Sequence, residues 1–426
     1  MSILRQKVRH FNDGSVDSME TLHKTIEILS QDNEFVEEVL NAFSVNPQNQ
    51  SVVQIGNLKS LLADISEIDS SVEKRDITVG LNNIYLERML EDEVAVLALY
   101  EIKDPELIKR LSSDNMMVET RYSAKNDYLD IYNFSKFANF LRDQKWDDLI
   151  TYTQDYIRSH SVDRSERKLR LIRKKDEEQY LLRAITSVSA YKNYGINFSV
   201  LVALLALDKY IKESKTNVYI DEYRLDDSRV YVSFQLGSRH IVNDNTSLSL
   251  NLVLENDEIK DSAVSMNATF KLTYNDGERN SYVYLRPDAY RTFGEIEYKS
   301  DLLTYSHSMN VSTVYEKIGE LPVYINHFVQ QVTENSQKIV KISNPEEVRN
   351  FILTAVKNAR NSDFAKYKEN VLQTLARLSA DSIFDLFEAL RSVEELFGDD
   401  ISSREYWRKK LYNLLLNRGE SKTRQV

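Results

Sequence analysis

Ten glycines and five prolines are all that punctuate 426 residues. These two residues are the strongest breakers of regular backbone, so a supply this sparse favours long helices and strands over a mosaic of tight loops. The chain is also longer than one hydrophobic core usually supports; at roughly 100 to 200 residues per domain it suggests two or three. A hydrophobic share of 42% beside 28% charged residues is ordinary for a folded protein and argues against global disorder.

Periodicity divides the chain into three stretches. Over residues 1–115 apolar positions recur at three- and four-residue steps, as in Leu22, Ile26 and Leu29 and again in Leu81, Ile84, Tyr85, Met89 and Leu90. This spacing predicts a helical amino-terminal region, with Pro105 marking a further helix start. Over 116–300 the texture shifts to short segments rich in tyrosine, valine and threonine, the signature of strands. Lys168 to Arg173 and Tyr180 to Thr186 read as a hairpin, and a helix follows from about Asn197 to Glu213. Strands then return at Val218–Tyr223, Val230–Leu236, Ser247–Leu254, Val264–Tyr274 and Ser281–Leu285, the last two joined through Asn275-Asp276-Gly277. Over 301–426 helical periodicity resumes at Val311–Glu334, Glu346–Arg360, Ala365–Leu378 and Ser382–Phe397, with Gly398 placed to stop the last. The expected fold is α+β: helical at both ends, with a central antiparallel sheet and one buried helix.

Absences exclude several chemistries. With no cysteine there is no disulfide framework, thiolate nucleophile or cysteine-ligated metal, and a reducing cytoplasm is the expected setting. The glycines are too scattered for a phosphate loop, and His307 and His327 stand too far apart for a zinc-protease helix. The longest apolar run, Phe198 to Leu207, is about half of the ~20 residues that a membrane helix needs. The opening MSILRQKVRHFNDG turns polar before any signal-peptide core. Neither a membrane partner nor a cofactor is expected.

The feature that bears most on function is a run of cations in a chain of net charge -11. Arg164, Arg167, Lys168, Arg170, Arg173, Lys174 and Lys175 lie within twelve residues, relieved only by Glu166. So many like charges require either nearby carboxylates or an anionic partner. Strand alternation would set cations on one face and leucines on the other, with Tyr180, Tyr191 and Tyr194 near enough to stack on bases. The competing reading is a solvated hairpin edge that deters strand addition and pairs with Asp176, Glu177 and Glu178. A second basic stretch runs through Arg404, Arg408, Lys409, Lys410, Arg418, Lys422 and Arg424, suited either to phosphate or to the negative pole of a terminal helix.

One catalytic pattern is present. Pro287-Asp288 followed by Glu297-Tyr298-Lys299 matches the two-carboxylate and lysine arrangement of Mg²⁺-dependent nucleases. Acid-x-Lys also occurs at Glu101-Lys103, Asp143-Lys145, Glu213-Lys215 and Glu258-Lys260, so half of the pattern arises by chance in this composition.

The succession LLRAITSVSAYKNYGINFSVLVALLAL, NVYIDEYRLDDSRVYVSFQL and VSMNATFKLTY, spanning about Arg167 to Tyr274, resembles the phage/plasmid-like protein family of unknown function. The resemblance implies a mobile-element setting, and with it the cytoplasm of a bacterial host, and supplies no catalytic residues. The function expected from the sequence is therefore non-enzymatic contact with nucleic acid, single strands foremost, through Arg164, Arg167, Lys168, Arg170, Arg173, Lys174, Lys175 and Tyr180. The alternative is a structural or assembly protein that binds a host or phage protein, or forms a homo-oligomer, without touching nucleic acid.

Overall fold

The computed structural model describes residues 4–11, 18–31, 33–90, 94–161, 163, 165–259, 263–287, 290–291, 297–298 and 301–420. The α+β class is observed, with helices toward both ends and antiparallel sheets between them. Among the described residues the larger sheet has eight strands. Its main path runs Gln6–His10, Val218–Asp226, Arg229–Asn243, Thr246–Asp257, Val264–Asn275 and Asn280–Leu285, every neighbouring pair antiparallel. Turn chemistry sets this order. At the last hairpin Gly277 takes φ +101°, which only glycine adopts without strain, while Asp276 Oδ1 accepts from the amides of Glu278 and Arg279.

The apolar run predicted as a buried helix forms Ile196–Ser214, and its apolar residues are buried all round. A helix with no polar face has to sit inside a core. Here it packs with the helices Leu22–Leu29 and Leu58–Ser71, the inner face of the eight-stranded sheet and the carboxyl-terminal helices in one continuous cluster. Local signals placed the carboxyl-terminal helices well. Asn344 caps Pro345–Lys357 by accepting from the Glu347 amide, and Ser382 and Asp385 form a reciprocal capping box at the start of Ile383–Glu395. The single long segment expected from Val311 is two helices, Val311–Gly319 and Leu321–Ile339, because Gly319 and Pro322 interrupt it.

A second core gathers on a six-stranded sheet ordered Val72–Gly80, Glu166–Lys174, Leu181–Ser187, Met116–Thr120, Ala95–Leu99 and Ile84–Met89. Three of these strands lie where helical spacing was read. Around Leu81 to Leu90 the structure has a short 3₁₀ turn and a strand, with Ile84 and Leu86 facing inward at the two-residue period of a sheet. Conversely, the strand-like texture after 116 conceals three helices, Ala124–Asp130, Ser135–Asp143 and Asp147–His160, which cover this sheet through Tyr128, Leu129, Ala138, Leu141 and Ile150. Their Tyr, Phe and Thr content mimics a strand, and tertiary packing overrides that propensity.

Candidate functional site

The predicted basic hairpin exists, but not as a free edge. Glu166–Lys174 pairs antiparallel with Leu181–Ser187 on one side and with Val72–Gly80 on the other, so both rows of its backbone groups are engaged. Burial then drives its guanidiniums toward protein partners. Arg170 is 1% exposed; it donates to Tyr191 Oη at 2.8 Å, to the Glu258 carbonyl at 2.6 Å and to Asn193 Oδ1 at 2.7 Å, and it meets Asp76 Oδ1 at 3.2 Å. Arg173 donates to Glu73 Oε2 at 2.5 Å and to the Glu177 carbonyl at 2.6 Å. Arg167 pairs with Asp163 at 2.9 Å, Lys174 with Glu177 at 2.6 Å, and Lys175 donates to the Asp69 carbonyl at 3.0 Å. Lys168, half-buried between Thr78 and Thr186, has no ion pair among the described residues. Arg164 lies outside the described residues, as do Asp288 and Lys299 of the nuclease pattern.

The expected stacking platform is likewise turned inward. Tyr180 is buried and donates to Glu73 Oε1 at 2.7 Å, Tyr191 stacks on His307 with centroids 4.7 Å apart, and Tyr194 is wholly enclosed. The second basic stretch meets the same fate at its start. Arg404 and Arg408 are buried in the Ile401–Glu420 helix, facing Glu222 and Glu394. Lys422 and Arg424 lie outside the described residues.

Glu73 collects Arg173, Arg110 and Tyr180 around one carboxylate. Burial alone would push this carboxyl up, but those three hydrogen bonds outweigh it and hold the group down to about 2, against an ordinary 4.5. A depressed carboxyl stabilises the fold above its unfolded value and loses that contribution as pH falls toward the folded one. Glu73→Gln is therefore expected to melt below the parent protein at pH 7 and to converge with it near pH 2, a window that thermal scans at several pH values would resolve.

What the fold does present to solvent is aromatic. Six of the thirteen exposed large apolar residues among those described fall between 137 and 156: Phe137, Phe140, Trp146, Leu149, Tyr152 and Tyr156. They lie on two consecutive helices, with Trp146 in the turn between them, that have already used their other faces to cover the sheet. In Asp147–His160, Ile150 and Gln154 point inward while Leu149, Tyr152 and Tyr156, at helical spacing, point out. In Ser135–Asp143, Ala138 and Leu141 are buried, and Phe137 and Phe140 stack outside with rings 17° from parallel. Tyr152 is 71% exposed. A helix that only roofs a sheet needs one apolar stripe; here a second is grouped with its neighbour's on the exposed side. Sequence reasoning missed this patch because it read the region as strands, in which alternate apolar residues need no second partner.

No family model, curated protein or solved structure matches the chain. The site therefore rests on its own geometry. Among the described residues no group of three or more His, Asp or Glu is placed to hold a metal ion, and no helix is long and apolar enough to cross a membrane.

Proposed function

We propose that this chain is an interaction protein that docks another protein on the helical pair at 135–160. The observation that carries this reading is the exposed row of Phe137, Phe140, Trp146, Leu149, Tyr152 and Tyr156. Aromatic side chains of this kind dominate the energetics of protein interfaces. The exposed charges among them choose the partner: Asp143, Asp147 and Asp148 stand against Lys136 and Lys145, Asp155 is paired with the half-buried Arg158, Arg142 is also half-buried, and the chain as a whole is acidic. That balance repels phosphate, and it opposes a symmetric self-association that would set Asp147 and Asp148 against their own copies. It suits a partner with an apolar centre and a basic rim.

Trp146 is a built-in reporter, since the only other tryptophan, Trp407, is buried. Two synthetic amphipathic helical peptides sharing one apolar face, one with lysines and one with glutamates on the polar face, make the probe. The lysine peptide is expected to blue-shift Trp146 emission and shield it from acrylamide, less so at high salt, and the glutamate peptide to leave it open. Phe140→Ser combined with Tyr152→Ser is expected to weaken the lysine peptide at least about tenfold, as loss of two aromatic anchors should. Failure of both peptides to shield Trp146, or shielding that appears with rising protein concentration alone, overturns the reading; the second outcome would name another copy of the chain.

Nucleic-acid contact at the cation run is the second reading. Its support is now Lys168, Lys174 and Lys175: Lys175 is exposed and Lys168 and Lys174 are half-buried. A single-stranded oligonucleotide that binds with a log–log salt slope of about −2, lost on reversing those three lysines, would favour it over peptide docking.

A further inference from the structure

A cleft of about 270 Å³ opens where the last two helices meet one face of the eight-stranded sheet. Its mouth is formed by the exposed residues His10, Glu395 and Gly398, and Phe11, Val283 and the rings of Tyr282 and Tyr284 contribute to its walls. A backbone irregularity creates its chemistry. Ile220 pairs with Phe234 and Glu222 with Ser233, so Asp221 is the extra residue of a bulge, and both Asp221 and Glu222 line the cleft. Bulges of this kind re-aim side chains and recur beside functional sites.

Pairing the cleft's charges leaves one over. Arg404 Nη2 sits 2.7 Å from each oxygen of Glu222. Arg408 spans Glu394 at 2.5 Å and Glu405 at 2.8 Å, and Arg391 spans Glu388 and Glu395 at 3.2 Å each. His10 lies between Glu222 and Asp399. Every guanidinium is thus matched by at least one carboxylate. Asp221 has no ion pair of its own: its Oδ2 accepts from Asn251 Nδ2 at 2.6 Å, Ser233 adds a second neutral contact and Arg408 acts on it only through space, while its Oδ1 is buried without a hydrogen-bond partner. A buried carboxylate oxygen without a donor is costly and uncommon.

We propose that this cleft binds a small organic cation, an aliphatic ammonium or guanidinium, with Asp221 as its counter-ion. The deficit is of a positive charge and of hydrogen-bond donors, which such a group supplies together. The cavity lies just below the ~300 Å³ at which drug-sized pockets begin, so the ligand is small. Aromatic and apolar walls favour an alkyl chain over a bare ion, and the interleaved arginines disfavour a metal. Bulk anions are opposed by Glu222, Glu394 and Glu395. Burial, reinforced by the adjacent Glu222, pushes the Asp221 carboxyl up to about 7, while Arg408, Ser233 and Asn251 act the other way. Glu394 and Tyr284 face the same space from the helix and strand packed against it. Cation binding requires the ionised form, so affinity should rise as pH climbs through about 7, and binding at pH 6 should release protons.

The test is titration with putrescine and agmatine, with 1,4-butanediol and phosphate as neutral and anionic controls. Either amine near one hundred times its dissociation constant is expected to raise Tm by about 5 °C at pH 8 and less at pH 6, while both controls do nothing. Asp221→Asn is expected to weaken the amine at least tenfold without lowering the ligand-free Tm, since it removes a charge the folded state shelters poorly. Should that variant unfold, calorimetry of the parent protein at pH 6 in buffers of differing ionisation enthalpy reports the proton release directly. An equal response in Asp221→Asn, no response to either amine, or stabilisation by phosphate instead would overturn the proposal. Trp146 plays no part in these readouts, so the outcome is independent of peptide docking.

Discussion

Arg170→Met is expected to destabilise the protein by roughly 3–5 kcal/mol, the cost of breaking a buried ion pair from one side. The methionine keeps most of the volume but leaves Asp76, the Glu258 carbonyl and Asn193 Oδ1 without the donors they now have. Arg170 belongs to the six-stranded sheet and Glu258 follows the Thr246–Asp257 strand of the eight-stranded one, so the lost contacts join the two cores. Urea unfolding is the measurement, with Lys174→Ala as control. That exposed pair should matter by less than about 0.5 kcal/mol. The contrast separates two roles that the sequence could not tell apart. A cation kept for phosphate would be dispensable to folding, whereas one kept for Asp76 and Glu258 is not, and reversing Arg170 and Arg173 in a binding assay would read out unfolding.

How much of this was legible follows from the range of each signal. Caps and turns are decided within four residues, which is why Asp104-Pro105, Asn344-Pro345, Ser382 and Asn275-Asp276-Gly277 lie where their chemistry places them. The uniform apolarity of Phe198 to Leu207 needs no partner to be interpreted either. The fate of the cation run depends on residues about a hundred positions away: Glu73 and Asp76 on the adjacent strand, and Glu258 just beyond a strand of the other sheet. Nothing local in KLRLIRKK announces them. Of the nearby acids Asp176, Glu177 and Glu178, Glu177 alone contacts the run among the described residues. The aromatic patch was hidden differently. Phe137, Phe140, Tyr152 and Tyr156 fit a strand by propensity, and only once the segment is helical do they fall on a face the sheet does not need. Leu81 to Leu90 failed in the opposite sense, because Ile84 and Leu86 satisfy the period of two while Leu81, Ile84 and Tyr85 also satisfy three and four.

Glu258→Ala should cost at least as much as Arg170→Met, because Glu258 holds three separate structures at one point. Its Oε1 accepts the Ile196 amide at 3.0 Å, at the positive end of the buried Ile196–Ser214 helix. Its Oε2 meets Arg183 at 2.5 Å and Lys74 at 3.0 Å, both from the six-stranded sheet. Alanine would leave Arg183, 1% exposed, as a buried cation without its carboxylate, a loss of roughly 3–5 kcal/mol before the helix terminus is counted. Glu258→Gln separates charge from shape, since it preserves an acceptor for Ile196 but not the counter-ion. Burial pushes the Glu258 carboxyl up, yet Lys74, Arg183 and Arg170 together hold it far below the ordinary 4.5. Its stabilisation is accordingly present above about pH 4.5 and lost as pH falls below that, so the glutamine variant should show a flatter acid limb than the parent protein in pH-dependent melting. Gly195→Ala probes the same post from the helix side. A Cβ there would come 2.8 Å from Glu258 Oε1 and displace the carboxylate from the Ile196 amide, while its contacts to Arg183 and Lys74 can persist. The expected order of loss is Glu258→Ala, then Glu258→Gln, then Gly195→Ala. If Gly195→Ala instead matched Glu258→Ala, the helix terminus would be the dominant element, and the cations of the six-stranded sheet would be held there by something other than Glu258.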